Sequence, residues 1–540
     1  MNSLDLAPAE LIGLSGQRVV EMLKAGELSA REVLDSYIRR ITEINPALNA
    51  LVVPLFAEAR KTAALLDEAY RRRESLGPLH GLPITIKESI EVAGTPSTLG
   101  LTNRVRHRAG MDAPQVAALK KAGAVVVGKT NVSLLLRAYE TDNPVYGRTN
   151  NPWNLNRAPG GSSGGEASLI AAGGAVLGLG SDLAGSIRLP AHACGVHGLR
   201  PTAGRLTMIG HARIHAKSLS AIASQAGPIS RSVADLKLAM SVLAAPGHEA
   251  CDPSVPPVPW GDSIDIAKLR IGYYTDNGIL TPAPAIRRAI HDAVSVLRTS
   301  GAEVVEWQPP DCSEAWEIQL RLMCADGLAS YRHALRNSKG GKLRLAAMPG
   351  SIRSLVSLLA QIIGQRKLAD ALRYKHRVSL EQFSDLLGRR RSYSLRFLRA
   401  LEQSRIDAII CPPDALPALK HGSSPSVSAC SISYPGLFSL LGMPCGVVAS
   451  TRVREGEETQ RRGERDFFER AARRVELGSA GLPVGVQVAA KHWQEDVVLA
   501  VMAVLEDGFR KQPDYPAWPQ IPHRDRRIEP KLPRSSVLAP

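Results

Sequence analysis

Two loops rich in glycine and serine, close together in the chain, constrain this sequence most. The stretch PGGSSGGEASLIAAGGAVLGLGSDLAGSIRLPA (159–191) places Ser162 and Ser163 in the first loop and Ser186 in the second. The apolar segment EASLIAAGGAVLGLG between the loops predicts a helix. Small residues would let the loops bring several backbone N–H groups to one point, the geometry of an oxyanion hole. The alternative is a pair of tight turns that use glycine and serine because these residues fit turns.

The same stretch does not match the common phosphate-binding loops. A Walker loop needs lysine and then serine or threonine after its last glycine, but Gly165 is followed by Glu166. The dinucleotide pattern fails because Gly178-Leu179-Gly180 is followed three residues later by Leu183. The segment GSSGG also differs from the GxSxG elbow of α/β-hydrolases.

Short apolar strands alternate with helical segments along most of the chain. The segments GLPITIKESI (81–90), AVVVGK (124–129), KLRIGYYT (268–275), DAIICPP (407–413) and GLPVGVQVAA (481–490) predict strands. The first 75 residues have apolar residues at helical spacing, with Ser29 as an N-cap. This alternation predicts an α/β fold in which helices cover both faces of a large mixed β-sheet.

A serine nucleophile needs a base, and three side chains are candidates. His192 and His197 are close to Ser186 in sequence, but hydrogen-bonded core histidines look the same. Lys87 ends the apolar strand LPITIK, and an apolar setting can lower the pKa of a lysine enough for it to act as a base. A solvated lysine at a strand end is the ordinary alternative, and the residues alone leave this choice open.

Several motifs resemble those of the amidase signature family, especially its fatty acid amide hydrolase branch. They are GLPITIKE, GKTN, YGRTNNPWN, PGGSSGGE and SDLAGSIRLPA, in the family's order and near its spacings. The likeness to the branch continues through GYYTDNGILTPAPAIRRAI, SYPGLFSLLGMPCGVVASTRV and GSAGLPVGVQVAAKHWQED. It covers most of the chain from Pro78 to Asp496 and implies the amidase signature fold.

The resemblance implies a Ser–cisSer–Lys triad, which explains why two serine loops are present. Ser186 would attack the amide carbonyl, and Ser162, on a cis peptide after Gly161, would relay the proton to a neutral Lys87. Ser163 would support the lysine, and Asp182 and Arg188 would form a supporting pair or an ordinary salt bridge. The residues predicted to bind substrate or form the oxyanion hole are Leu136, Ser162, Leu183, Ala184, Gly185 and Ser186.

Two positions depart from the family pattern. Ala184 stands where the family has the first of two glycines before the nucleophile. A positive φ would strain an alanine, and we predict a negative φ because all three triad residues are present. Arg137 follows Leu136 where fatty-amide members carry an apolar or aromatic side chain. An arginine beside an acyl channel must reach solvent, find a partner or stay outside the channel.

The predicted organisation has three parts. An N-terminal helical segment (1–76) packs on the core, the amidase signature catalytic domain covers 77–520, and a disordered tail covers 521–540. Within the domain, segment 339–377 is amphipathic, with Ile352, Leu355, Val356, Leu359, Ile362 and Ile363 on one stripe. It carries nine lysines and arginines and one acid, Asp370, and it lies where the branch has its membrane cap. This segment is either a peripheral contact with anionic lipid or an ordinary amphipathic helix packed on the core, and the membrane contact is kept as a prediction.

The net charge of +16 fits either an anionic partner or an arginine-rich solvated surface, and the second is the ordinary explanation. No nucleic-acid motif accompanies the charge, so we expect no nucleic-acid partner. The seven scattered cysteines form no CxxC pair and favour reduced thiols without a zinc site. With no secretory signal and no apolar run long enough to span a bilayer, a cytoplasmic location is expected. We predict no metal or cofactor, and a homodimer is retained as a prediction.

The predicted function is serine amidase activity on a lipophilic, fatty acid-type amide through an acyl-enzyme. Three alternatives are retained. The first is an amidase for aryl amides, carbamates or phenylureas. The second is the glutaminase subunit of a tRNA amidotransferase. The third is a non-catalytic lipid-binding protein.

Overall fold

The computed structural model describes residues 8–212, 221–247, 250–261, 263–336, 338 and 350–521. Three parts of the sequence predictions lie outside these residues. They are the first seven residues of the N-terminal segment, the basic residues Lys339, Lys342 and Arg344, and the predicted tail after residue 521.

Within the described residues, eleven strands form a single mixed sheet. The strands are β1 (Leu51–Pro54), β2 (Pro83–Lys87), β3 (Val125–Thr130), β4 (Leu177–Asp182), β5 (His197–Arg200), β6 (Gln225–Ser230), β7 (Arg270–Tyr273), β8 (Glu303–Glu306), β9 (Ala408–Cys411), β10 (Cys445–Arg452) and β11 (Pro483–Ala490). Their order in the sheet is β1-β3-β2-β4-β6-β5-β10-β11-β9-β7-β8. Strand β2 runs parallel to β3 and β4, and β7 runs parallel to β8 and β9. The strand pairs between these two groups are antiparallel.

Eighteen α-helices surround the sheet in the described residues. They are α1 (Pro8–Gly13), α2 (Gly16–Ala25), α3 (Ala30–Leu48), α4 (Phe56–Arg71), α5 (Pro114–Lys121), α6 (Gly164–Ala171), α7 (Arg188–Cys194), α8 (Val233–Leu243), α9 (Pro284–Thr299), α10 (Cys312–Met323), α11 (Ala329–Leu335), α12 (Gly350–Ile362), α13 (Arg366–Arg373), α14 (Leu380–Gln403), α15 (Ser424–Ser431), α16 (Ser433–Leu441), α17 (Phe467–Glu476) and α18 (Glu495–Phe509).

Alternate residues of the strands pack into different apolar clusters, so both faces of the sheet are covered. In β9, Ile410 joins the cluster built with α3, α9 and α18, whereas Ile409 joins the one built with α10, α14 and α16. In β10, Val448 joins the first of these clusters and Val447 joins a third, which includes α6 and α7. Successive side chains of a strand point to opposite faces. The predicted α/β/α architecture is therefore confirmed.

Every strand predicted from the sequence is present, and Ser29 caps α3, where its Oγ accepts a hydrogen bond from Glu32 N at 3.2 Å. The predicted helix between the serine loops is wrong beyond Ala171. Gly173 has a φ of 79°, which ends the helix, and the following segment forms the buried strand β4. Periodicity does not distinguish a fully buried strand from a buried helix, because both are apolar on every side.

Two smaller differences concern the N-terminal segment and segment 339–377. The first 75 residues include a short strand, β1, between α3 and α4. The described part of segment 339–377 forms two helices, α12 and α13, because Gly364, with a φ of 79°, breaks the helix, and the predicted stripe lies on α12 and the residue after it. Helix α3 shares an apolar cluster with β2 and β3, which suits the predicted contact of the N-terminal segment with the core.

Candidate active site

Lys87 is the last residue of β2, and its amine lies between the first serine loop and Ser181 on β4. Ile84 and Ile86 point into the core cluster on one face of the sheet, so Lys87 lies on the other face together with Thr85. The side chain of Lys87 is fully buried. Its Nζ lies within hydrogen-bond distance of three oxygens: Ser162 Oγ at 2.8 Å, Ser181 Oγ at 3.0 Å and the carbonyl oxygen of Ser181 at 3.1 Å.

The two serine loops are joined directly to each other. The N–H of Ser163 donates to the carbonyl oxygen of Ser186 at 3.1 Å, and the Gly161–Ser162 peptide is cis, as the resemblance implied. Glycine is needed at Gly161 because a Cβ there would lie 2.3 Å from the carbonyl oxygen of Ala138. Ser162 is 1% exposed and Ser186 is 8% exposed, so Ser186 is the more accessible hydroxyl.

The surroundings of Lys87 favour its neutral form. Burial lowers the pKa of Lys87 to about 7, while the carboxylates of Asp182 and Glu166 act in the opposite direction. An amine with this pKa is largely deprotonated just above neutral pH, which is the state that a general base requires.

Asp182 and Arg188 form a buried ion pair that organises the second loop. Arg188 donates to both carboxylate oxygens of Asp182, each at 3.0 Å. Burial alone would raise the pKa of Asp182, but the charge and hydrogen bonds of Arg188 hold it well below its usual range. Arg188 also donates to the carbonyl oxygen of Pro435 at 2.7 Å, to Gln487 Oε1 at 2.7 Å and to Ser439 Oγ at 2.8 Å. This one guanidinium therefore connects the loop to α16 and β11.

The backbone of residues 183–186 presents several N–H groups. Those of Leu183, Ala184 and Ser186 donate to no acceptor among the residues that the structure describes. The prediction for Gly185 needs correction, because its N–H donates to Asp182 Oδ1 at 2.7 Å and is already engaged. Gly185 instead supplies the positive φ of 111° that the turn before Ser186 requires.

The predicted negative φ at Ala184 is confirmed, since the described non-glycine residues with positive φ do not include it. The Ala184 carbonyl oxygen accepts a hydrogen bond from Tyr139 Oη at 2.8 Å. The methyl group at this position therefore adds a side chain without forcing a left-handed backbone.

Leu136 lies in a strained segment beside an apolar cluster. Leu135 and Leu136 have φ values of 55° and 58°, a left-handed conformation that is uncommon for leucine and is found at functional sites more often than elsewhere. Leu136 packs against a cluster that includes Leu99 and Leu101. The neighbouring Arg137 donates to the carbonyl oxygen of Met323 at 3.0 Å, and its guanidinium lies 4.0 Å from the centre of the Tyr331 ring.

The two histidines considered as bases are engaged elsewhere. Burial lowers the pKa of His192 to about 4, and its Nδ1 accepts from Gly485 N at 3.0 Å. His197 lies with its Nε2 3.3 Å from Glu506 Oε1. Across the described residues, no three histidine, cysteine or acidic side chains are grouped so that they could hold a metal ion.

Sequence reasoning missed Ser181 and His211. Ser181 Oγ contacts the Lys87 amine, and it also lies 2.9 Å from His211 Nε2. Its place as the first residue of the motif SDLAGSIRLPA could have indicated Ser181. No sequence signal pointed to His211. Ser163 acts on the lysine less directly than predicted, since its Oγ donates at 3.3 Å to the Ser181 carbonyl oxygen that also accepts from Lys87.

The Asp182–Arg188 pair yields a stability prediction. In Asp182→Asn, Arg188 stays buried without its anionic partner, so the free energy of unfolding should fall by about 3–5 kcal/mol. Urea denaturation of the purified protein measures this loss. The control is Glu303→Gln, which removes the exposed partner of Arg270 and should change stability by less than about 1 kcal/mol. Equal urea midpoints for Asp182→Asn and wild type would contradict the prediction.

Known proteins resemble this chain over almost its whole length. The Amidase family model matches residues 32–499. Fatty acid amide hydrolase 1 of Caenorhabditis elegans is 30% identical over 522 residues, which cover 94% of this chain and 90% of that protein. A solved fatty acid amide hydrolase structure aligns with a TM-score of 0.80 at 26% identity and covers 94% of this chain and 87% of that chain.

A bacterial aryl acylamidase of the amidase signature enzymes also aligns, with a TM-score of 0.70 at 25% identity. The alignment covers 92% of this chain and 96% of the acylamidase. The family match and the full-length similarity confirm the resemblance drawn from the motifs. The chain therefore belongs to the amidase signature family and is an amide hydrolase.

Proposed function

We propose that this enzyme hydrolyses a lipophilic amide through an acyl-enzyme on Ser186, with Ser162 and Lys87 as the proton relay. The observation that carries the proposal is the 2.8 Å hydrogen bond between Lys87 Nζ and Ser162 Oγ inside a site that excludes water from the amine. A buried neutral amine next to a hydroxyl can take a proton that the hydroxyl passes on from a second serine.

In the acylation step, Ser186 Oγ bonds to the amide carbonyl carbon. Its proton moves to Ser162 Oγ as the Ser162 proton moves to Lys87 Nζ. The carbonyl oxygen becomes an anion, which the N–H groups of Leu183, Ala184 and Ser186 would stabilise. When the carbon–nitrogen bond breaks, the ammonium of Lys87 returns the proton through Ser162 to the departing nitrogen. The amine can then leave as a neutral molecule.

Deacylation repeats these transfers with water in place of Ser186. The water oxygen bonds to the acyl carbon while its proton passes through Ser162 to Lys87. Collapse of the second tetrahedral intermediate releases the carboxylic acid. The proton returns to Ser186 Oγ, which restores the resting enzyme without a net change in its charge.

The lysine assignment makes a prediction about pH. Because the ammonium form cannot accept a proton, kcat/KM should rise with pH as Lys87 is deprotonated, with a midpoint at about 7. Measurement of kcat/KM from about pH 5 to 9 on one amide tests this, with Ser186→Ala as the blank. A profile that is flat over this range would contradict Lys87 as the base.

The contacts of Arg137 support the proposal that the substrate carries a lipophilic acyl group. Its guanidinium is bonded to Met323 and stacked on Tyr331, so the charge has partners beside the apolar cluster around Leu136. The full-length similarity to a fatty acid amide hydrolase favours the same substrate class. The similarity to an aryl acylamidase favours the second candidate, hydrolysis of aryl amides.

An acyl-chain series separates these two candidates. We expect kcat/KM on one amine head group to rise from acetyl to oleoyl, by up to about fourfold per methylene, because each buried CH₂ contributes about 0.8 kcal/mol. Ser186→Ala again provides the blank. A maximum at acetyl or at an aryl acyl group would keep the mechanism and replace the lipophilic substrate with an aryl or small amide.

Helix α12 supports a further part of the proposal, peripheral contact with a membrane. In the described part of the chain, no helix combines the length and apolarity needed to cross a bilayer. One face of α12 and the residue after it nevertheless expose six large apolar side chains: Ile352, Leu355, Leu358, Leu359, Ile362 and Ile363. We call this set the α12 apolar face. Its size and continuity suit insertion among lipid head groups.

The basic residues contribute less to this contact than their number in the sequence indicates. Arg353 is buried and donates to the carbonyl oxygen of Lys375. Lys367 Nζ donates to Glu469 at 2.8 Å, and Arg373 donates to Asp370 at 2.8 Å. These cations are therefore engaged within the protein, and we expect apolar insertion to supply most of the membrane affinity.

Vesicle binding tests the α12 apolar face. Wild type should sediment with phosphatidylcholine–phosphatidylglycerol vesicles at low salt, and Ile362→Ser with Ile363→Ser should weaken binding at least tenfold, because two exposed side chains no longer insert. Leu380→Ser is the matched control, because it removes an 83% exposed leucine from the start of α14, outside this face. Absence of wild-type binding, or equal binding by the double variant, would contradict the membrane proposal.

A further inference from the structure

Glu166 is a fully buried carboxyl group that the mechanism above does not use. It is the third residue of α6, directly after the first serine loop. One carboxyl oxygen, Oε2, accepts a hydrogen bond from Thr85 Oγ1, and the other, Oε1, accepts one from Thr130 Oγ1 at 2.8 Å. Thr85 lies on β2, the strand that ends at Lys87, and Thr130 lies on the neighbouring strand β3.

The two threonines place this carboxyl on the same side of the sheet as the Lys87 side chain. Thr85 precedes Lys87 by two residues on β2, so both side chains point to the same face. Thr130 on β3 is the register partner of Lys87. Glu166 Oε2 also packs against Gly178 on β4, where a Cβ would lie 2.1 Å from this oxygen. Glu166 is therefore enclosed by β2, β3 and β4 on the face that carries the lysine.

Lys87 is influenced by two carboxylates, but their surroundings differ. Asp182 is paired with Arg188 at 3.0 Å and lies 3.9 Å from Arg200 Nε, so its negative charge is largely compensated. Among the described residues, no arginine or lysine nitrogen lies within 4.0 Å of the Glu166 carboxylate, and Lys87 is the charged group that acts on it. Burial raises the pKa of Glu166 to about 7, against the threonine hydrogen bonds and the charge of Lys87.

We propose that Glu166 is a positioning residue that sets the proton affinity of Lys87. Its carboxylate stabilises the ammonium that forms when Lys87 takes the proton of Ser186 through Ser162. This inference rests on the proposed function, in which Lys87 is the base. Glu166 is enclosed by three strands and has no exposed surface, so it acts on the lysine by charge and does not contact the substrate.

Removal of the Glu166 charge should change the pKa of Lys87 in one direction. Without the carboxylate, the ammonium of Lys87 is less favoured and loses its proton at lower pH. Lys87 then stays neutral down to a lower pH. The acidic limb of the profile, which is the part where kcat/KM rises with pH, therefore moves to lower pH. A base of lower pKa also accepts a proton less readily, and kcat on the alkaline plateau falls.

Glu166→Gln tests the proposal because it removes the charge and keeps the shape of the side chain. Its amide can still bond to both threonine hydroxyls. We expect the midpoint of the acidic limb to move down by about one pH unit, the lower end of the effect of a nearby opposite charge. We also expect a lower plateau kcat and a KM within about twofold of wild type, since transition-state interactions alone are affected.

Two further variants complete the test, one that perturbs Glu166 indirectly and one that serves as a control. Thr130→Val removes one hydroxyl donor from the carboxylate, which raises the pKa of Glu166 and should move the limb in the same direction by a smaller amount. Asp235→Asn is the matched control, because Asp235 is also a buried carboxyl of raised pKa but bonds to the N–H groups of Gly16 and Gln17. It should leave the limb unchanged.

The outcomes separate this inference from the proposed function. If wild type shows the acidic limb and folded Glu166→Gln and Thr130→Val keep its midpoint, the role of Glu166 is wrong and the lysine base stands. A raised KM in Glu166→Gln together with an unchanged midpoint of the acidic limb would also contradict the proposed role of Glu166. If the wild-type profile is flat, the lysine base itself is wrong.

Discussion

The amine of Lys87 is buried in the protein interior, and the rest of the site depends on the charges and hydrogen bonds around it. A buried ammonium is costly unless charges and hydrogen bonds compensate it, so burial pushes the group toward its neutral form. Ser162 Oγ and both oxygens of Ser181 lie within hydrogen-bond distance of the amine, while Asp182 and Glu166 moderate the effect of burial. The resulting pKa lies near neutrality, where a lysine can accept and return a proton within one reaction cycle.

The fold brings this amine together with both serine loops through the parallel strands of one half of the sheet. Strand β2 ends at Lys87, and the neighbouring strand β4 ends at Asp182, four residues before Ser186. Arg188 then ties the turn at Ser186 to α16 and β11, which come from the far end of the chain. The second serine loop is thus held by elements more than two hundred residues away in sequence.

Motifs were the strongest source of information in the sequence. They indicated Lys87, Ser162 and Ser186, and the structure brings Lys87 into contact with Ser162 and the first serine loop into contact with Ser186. Strand β4 was mistaken for helix because a strand buried on both faces shows no alternation. The engagement of the Gly185 N–H by Asp182 is a local contact between residues three apart, which the motif comparison overlooked. The contact of His211 with Ser181 joins residues 30 apart and depends on tertiary geometry, so no local pattern indicates it. The inward pairing of Arg353 and Lys367 was hidden for the same reason.

The measurement that tests the central claim most directly is labelling with a fluorophosphonate, followed by peptide mass analysis. A phosphonyl adduct should form on Ser186, since this reagent reacts with an activated serine hydroxyl. The labelling rate should fall by about 10²-fold or more in Lys87→Ala and in Ser162→Ala, because each loses the base or the relay. An adduct on another serine, or an unchanged rate in both variants, would contradict activation of Ser186 by Lys87 through Ser162.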